Sequence, residues 1–166
     1  MGGRYDDGLL SETLGKLEEK AKQKLREASE DVSRNVFISF AYEDADEVNL
    51  LREQAKDEKT DLEFKDYSVK EAFDSKDADY IKRQIREKMD KTSVTIVYLS
   101  PHSAKSPWVN WEIEESLKRG KGVIGVYKGE TPPAALPKAF TENNCKAVKW
   151  SHENLKKAIE KASQNR

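Results

Sequence analysis

The chain has 166 residues, the size of one ordinary domain with an appended element rather than two full domains. Hydrophobic residues make up 36% and charged residues 37%, so the core must be compact and one segment is expected to lie outside it. With 30 Lys+Arg against 31 Asp+Glu the net charge is −1, which gives no global attraction for nucleic acid or for an anionic membrane.

One cysteine, Cys145, excludes an internal disulfide, and with only two histidines a usual zinc site is excluded too, so no metal is expected. The longest apolar runs, such as Val94 to Leu99, fall far short of the ~20 residues that span a bilayer. The start, Met1 to Asp6, lacks the Ser/Thr of a myristoylation signal and no apolar signal core follows, so a cytoplasmic protein with no membrane partner is expected.

The first element is an amphipathic helix over residues 1–33, with Leu10, Leu14, Leu17, Ala21, Leu25, Ala28 and Val32 spaced 4, 3, 4, 4, 3, 4. This spacing is nearer an eleven-residue pattern than a heptad, which favours a straight helix lying on its own domain or on a partner, with an oligomer-forming helix as the alternative. Residues 34–166 are expected to form the second unit. It opens on a strand, Asn35 to Phe40, followed by a helix from Asp44 to Lys59 carrying Val48, Leu51 and Ala55. Leu62 to Tyr67 alternates polar and apolar residues, as an edge strand does. A helix from Ala78 to Lys91 puts Ile81, Ile85 and Met89 on one face, and Val94 to Leu99 reads as a buried strand.

Ser106-Pro107 then starts a helix, because Ser caps free amides and Pro fits the first turn, and Gly120 closes it. Val123 to Tyr127 is the fourth strand. Gly129 to Asn144, with three of the five prolines, reads as irregular. Lys146 to Trp150 is the fifth strand, and Ser151 caps a last helix that turns Leu155 and Ile159 inward. Alternating strands and helices predict an α/β fold, a five-stranded parallel sheet of order 2-1-3-4-5 with helices on both faces. Ligands bind such sheets beyond the carboxyl ends of the strands near the switch point between strands 1 and 3.

Several chemistries of this topology are excluded. Strand 3 ends in Leu99-Ser100-Pro101, so it lacks the aspartyl nucleophile of a phospho-receiver. Ser39 to Asp44 has no Gly and two acids, unlike a flavin phosphate loop, and neither a Walker loop nor a GxGxxG turn occurs. The helix after Ser106 is more informative. Val109, Ile113 and Leu117 form its buried stripe, while Glu114 and Glu115 have Lys118 and Arg119 four residues on. Glu112 has Ser116 there instead and stacks one turn beyond Trp108, so an unpaired carboxylate sits beside an aromatic ring near a helix start. Such a pair suits a ribose or a cationic sugar transition state, and equally suits a half-exposed helical Glu beside a packing Trp. His102 reads as a solvated loop residue and His152 as structural or exposed.

Arg34 to Phe40 with Asp44, Val94 to Ser100, and Ser106 to Ile113 resemble the three signature segments of TIR domains, nearest the bacterial and archaeal TIR-like group of Thoeris anti-phage systems. The likeness runs from Arg34 to the end. It implies a flavodoxin-like fold and cleavage of the nicotinamide glycosidic bond of NAD, with NAD as substrate and no separate cofactor. By the same resemblance Glu112 is the catalytic residue, and the pocket comes from Ser39, Phe40, Asp66 with the loop after it, Ser100 and Trp108. That loop lacks the Pro and Gly common in the wider family. The mechanism expected from this has Phe40 and Trp108 sandwiching or edging the nicotinamide riboside while Glu112 bonds the ribose hydroxyls and stabilises the oxocarbenium-like transition state. Water, the adenine ring or another nucleophile captures the ribosyl cation, the first two giving ADP-ribose or a cyclic ADP-ribose-type signal. Trp108 is expected to wall this pocket rather than fill the core, because Val109, Ile113 and Leu117 already give the helix a stripe. Self-association or a partner effector protein is the expected assembly, and a non-catalytic TIR-like interaction module is the alternative function.

Overall fold

A computed structural model describes residues 7–57, 63–66 and 72–164. The chain divides into two compact units after Val32. The first holds helix α1, Asp7–Arg34, except for its last two residues. The second holds β1 (Asn35–Ser39), a 3-10 turn at Tyr42–Asp44, α2 (Ala45–Asp57), β2 (Glu63–Lys65), α3 (Ala78–Asp90), β3 (Val94–Tyr98), α4 (Pro107–Lys118), β4 (Gly122–Tyr127), α5 (Lys138–Glu142), β5 (Lys146–Lys149) and α6 (His152–Gln164). The sheet is parallel throughout, in the order β2-β1-β3-β4-β5, a flavodoxin-like α/β arrangement.

Side chains of a parallel strand meet helices on both faces, which is why β3 reads Val-Thr-Ile-Val-Tyr and is buried at every residue. The two-residue alternation of β1 then sorts the core. Val36, Ile38 and Phe40 pack with Val48 and Leu51 of α2 and with Leu155 and Ile159 of α6. Phe37 packs on the other face with Ala78, Ile81, Ile85 and Met89 of α3 and with Trp108 of α4. A third cluster joins Val97 and Leu99 to Val109, Ile113, Ala139 and Phe140.

Helix α4 begins as its first residues dictate. Ser106 Oγ accepts from the Val109 amide at 3.2 Å, and Pro107 occupies the first turn, where its missing N–H costs nothing. It ends before Gly120, whose φ of 71° is a conformation that glycine reaches without a steric penalty.

The expected irregular stretch from Gly129 to Asn144 contains a short helix, α5, that sequence reading missed. Its start is set from a distance: the Ala139 amide donates to Asn110 Oδ1 of α4 at 2.8 Å, a cap no local pattern reveals. Phe140 is buried against β4, where a Cβ on Gly125 would meet its Cζ at 2.6 Å, so that glycine makes room for the ring. β2 is shorter than expected, and Leu62 and Tyr67 lie outside the described residues, as do Lys59 and most of the loop after Asp66. Among the described residues no helix is long and apolar enough to cross a membrane.

Candidate active site

The two signals in α4, Trp108 and Glu112, sit one turn apart and both point inward. Glu112 is 2% exposed. Its Oε1 accepts from Ser39 Oγ at 3.1 Å, and its Oε2, also buried, has no hydrogen-bond partner. One turn on, Ser116 Oγ lies 2.7 Å from Thr95 Oγ1 of β3, so α4 faces the sheet with a polar seam beside its apolar stripe. Glu112 occupies the end of that seam at the carboxyl edge of β1, because Ser39 is the last residue of that strand.

Burial raises the Glu112 acid well above the ordinary carboxylate value, since the ion would have to leave water. The Ser39 hydroxyl pulls it down, and the nearby Asp66 carboxylate adds a push upward. Asp66 stands just past β2 and is held there by three contacts. Arg52 Nη1 of α2 donates to its Oδ1 at 2.7 Å, Arg52 Nη2 reaches the Phe64 carbonyl at 3.3 Å, and Lys88 Nζ of α3 reaches the Asp66 carbonyl at 2.6 Å. Ser39, Asp66 and Glu112 are thus one electrostatic unit at the ends of β1 and β2.

Trp108 is close by in the chain but packed rather than open. It is 7% exposed, stands edge-on to Phe73 at 4.9 Å between ring centroids and to Trp111 at 6.0 Å, and touches the α3 cluster. The expectation that it stands outside the core is therefore corrected: α4 buries one face on the sheet and a second on α3, and a one-helix pattern cannot show the second. The Phe40–Trp108 sandwich is corrected too. Strand alternation sends Phe40 into the α2/α6 cluster, on the face opposite Trp108.

Ser100 belongs to a different group. Its Oγ donates to Asp44 Oδ2 in a very short hydrogen bond and accepts from the His102 and Ser103 amides, both at 3.1 Å. Burial raises Asp44, while Ser100 and His102 oppose that. These residues line an open cleft of about 520 Å³ beyond the ends of β1, β3 and β4, with Tyr98, Lys128 and Pro132 on its other walls. Glu47, also there, is held below its ordinary value by a hydrogen bond from Tyr98 and by Lys128 at 3.1 Å. The Asp66–Arg52–Lys88 contacts and the Glu47–Tyr98–Lys128 group escaped sequence reading, because each joins residues from separate elements with no shared spacing. Asp66 is described, but Tyr67 to Glu71 of the loop named with it lie outside the described residues. No group of three or more His, Cys, Asp or Glu suited to a metal occurs among the described residues.

Residues 37–132, which carry Ser39, Asp66, Ser100, Trp108 and Glu112, match the family described as "Thoeris protein ThsB, TIR-like domain". The chain belongs to this ThsB TIR-like family. It is 29% identical over 100 residues to a Bacillus cereus (strain MSX-D12) protein named "Putative cyclic ADP-D-ribose synthase ThsB1", across 58% of this chain and 52% of that protein. The chain thus spans about half the length of this curated relative. Among solved structures it is similar to the TIR domain of the Toll-related receptor TRR-2 from Hydra magnipapillata, with a TM-score of 0.48 and 16% identity over 76% of this chain and 91% of that one.

Proposed function

We propose that this ThsB-like chain cleaves the nicotinamide glycosidic bond of NAD and that Glu112 is its catalytic residue. The observation that carries the reading is the buried Oε2 of Glu112, an acceptor with no partner at the carboxyl edge of the sheet. Native proteins rarely leave such an atom unpaired, and each case asks for an explanation such as a ligand. The name of the Bacillus cereus relative, "Putative cyclic ADP-D-ribose synthase ThsB1", supports NAD as the substrate class.

In this reaction the bond between the ribose C1′ and the pyridinium nitrogen breaks, and its electron pair leaves with nicotinamide. Positive charge then develops at C1′ and the ring oxygen. An ionised Glu112 stabilises that charge and accepts from the ribose hydroxyls, in a site where little water screens it. The neutral acid favoured by burial ionises as the cationic ring approaches, because an adjacent positive charge lowers a carboxyl pKa. Water capturing C1′ releases a proton and gives ADP-ribose; attack by the adenine ring of the same molecule gives a cyclic product. In a Thoeris setting that product is a diffusible signal read by a partner effector in anti-phage defence.

Incubation with NAD, followed by chromatography and mass analysis, tests this. Wild type is expected to release nicotinamide with a stoichiometric ribosyl product, and Glu112→Gln to be slower by about 10²-fold or more. Equal turnover by the two proteins removes Glu112 from the chemistry. Intact NAD with both makes the chain a non-catalytic interaction module.

A further inference from the structure

None of the residues of the candidate site comes from α1, yet this helix carries the most regular pattern in the sequence. Its apolar positions Leu10, Leu14, Leu17, Ala21, Leu25, Ala28 and Val32 repeat every eleven residues, as Leu10 to Ala21 to Val32, Leu14 to Leu25 and Leu17 to Ala28. An eleven-residue repeat keeps an apolar seam nearly straight along a helix, with a slight right-handed drift, so a partner helix can follow it for its whole length. The spacings 4, 3, 4, 4, 3, 4 also read the same from either end, with Ala21 at the centre.

A series with that mirror order is its own complement. Two copies laid antiparallel, with Ala21 on a two-fold axis, bring Leu17 level with Leu25, Leu14 with Ala28 and Leu10 with Val32. The small side chain falls at the axis, where the backbones come closest. Closed two-fold pairing of one patch with itself is the commonest way that soluble chains associate. The stripe is open for it: Leu14, Leu17 and Leu25 are 55%, 57% and 71% exposed. A row of leucines in water, unlike one alone, marks an interaction surface.

We propose that α1 pairs with the α1 of a second copy of this chain, antiparallel about Ala21. Charge along the seam neither drives nor forbids it. On one flank Glu18 of each copy comes near the level of Lys22 of the other, while on the opposite flank Lys20 of each copy comes near Lys20 and Lys24 of the other. The net charge of −1 adds no overall repulsion. A 28-residue helix is about 42 Å long and ~10 Å wide, so the pair covers on the order of 800 Å² in total, which is the size of a reversible contact.

Light scattering of the full chain at rising micromolar concentration tests the pairing. The mass is expected to climb from monomer to dimer, and the Leu17→Lys/Leu25→Lys double variant to remain monomeric. Lysine is a good helix former and both leucines face solvent, so at concentrations where wild type is still monomeric the helicity and melting of that variant are expected to match wild type, while only wild type gains stability as concentration rises. A wild-type mass that stays monomeric overturns the proposal, as does a variant that dimerises equally. A variant that melts earlier than wild type where both are monomeric also overturns it, because the stripe is then covered by its own chain. So does binding of the monomer to anionic phosphatidylglycerol vesicles without a change in mass.

Orientation is read with Leu17→Cys and Leu25→Cys proteins, each also carrying Cys145→Ser, mixed under mild oxidation. Cross-links between the two different variants are expected to predominate. Predominance of links between like variants contradicts the antiparallel axis.

Discussion

Glu112 owes its character to three influences: burial that raises its pKa, a Ser39 hydroxyl that lowers it, and an Asp66 carboxylate that raises it again. Under the proposed reaction the ionised form works, so nicotinamide release is lost as pH falls through the raised pKa. The acid limb then sits above that of an ordinary carboxylate. Removing the hydroxyl in Ser39→Ala leaves the ion less stabilised. The limb is expected to move to still higher pH, and the rate at alkaline pH to change less than the rate at neutral pH. A pH–rate profile of both proteins checks this; a limb that stays put or moves down means that Ser39 does not tune Glu112. Sequence spacing brought Glu112 forward because it lacks the i+4 cation that Glu114 and Glu115 have. It did not reveal the depth of the residue, since burial comes from the sheet packing against the helix. Glu115 shows the same limit. It reads as a surface partner of Arg119, but it is itself buried, and although burial alone would raise it, Arg86 at 2.8 Å and Arg119 at 3.3 Å hold it below its ordinary value.

Helix α4 is where packing and chemistry compete for the same residues. Trp108 fills space between Phe73, Trp111 and the α3 side chains. Trp108→Ala is therefore expected to lose about 3–5 kcal/mol of stability through the cavity it leaves, with activity falling alongside, whereas Trp108→Phe loses less of both. Denaturant titration beside the nicotinamide assay reads this. A Trp108→Ala protein that melts like wild type but is inactive would restore the ring to a purely substrate-facing role.

At the other edge of α4, Asn110 supplies the cap of α5. Asn110→Ala leaves the Ala139 amide without that partner and is expected to cost about 1–2 kcal/mol, visible as earlier exchange of the α5 amides. The contrast explains what was legible. Long periodic elements such as α3, with Ala78, Ile81, Ile85 and Met89 inward, announce themselves through local spacing. A five-residue helix after Pro137, started by a side chain 29 positions earlier, does not.

The whole sheet follows from the alternation of apolar strands with amphipathic helices, and its order from the handedness of the crossovers. The strand ends were legible as the place to look because two neighbouring strands leave β1 on opposite sides there. How the named residues divide among groups was not. Ser39, Asp66 and Glu112 gather at one edge, whereas Ser100 joins Asp44 in a separate cleft and Phe40 turns to the opposite face.

A molecule that keeps a buried, half-satisfied acid for its chemistry bears a stability cost, and that cost depends on pH in a defined direction. Below the ordinary carboxyl value near 4.5 the acid is neutral whether folded or unfolded, and the pH-dependent part of that cost is absent. Above it the unfolded chain ionises first, so the fold loses about 1.4 kcal/mol per pH unit until the folded pKa is passed. Glutamine copies the neutral acid and does not titrate. Melting of Glu112→Gln and wild type across pH, with nicotinamide release assayed on the same samples, is therefore the most direct test of Glu112 as the working group. The account predicts a variant that equals wild type in stability in acid, exceeds it increasingly as pH rises, and releases almost no nicotinamide. A variant that melts no higher at neutral pH and turns over NAD at the wild-type rate would contradict it.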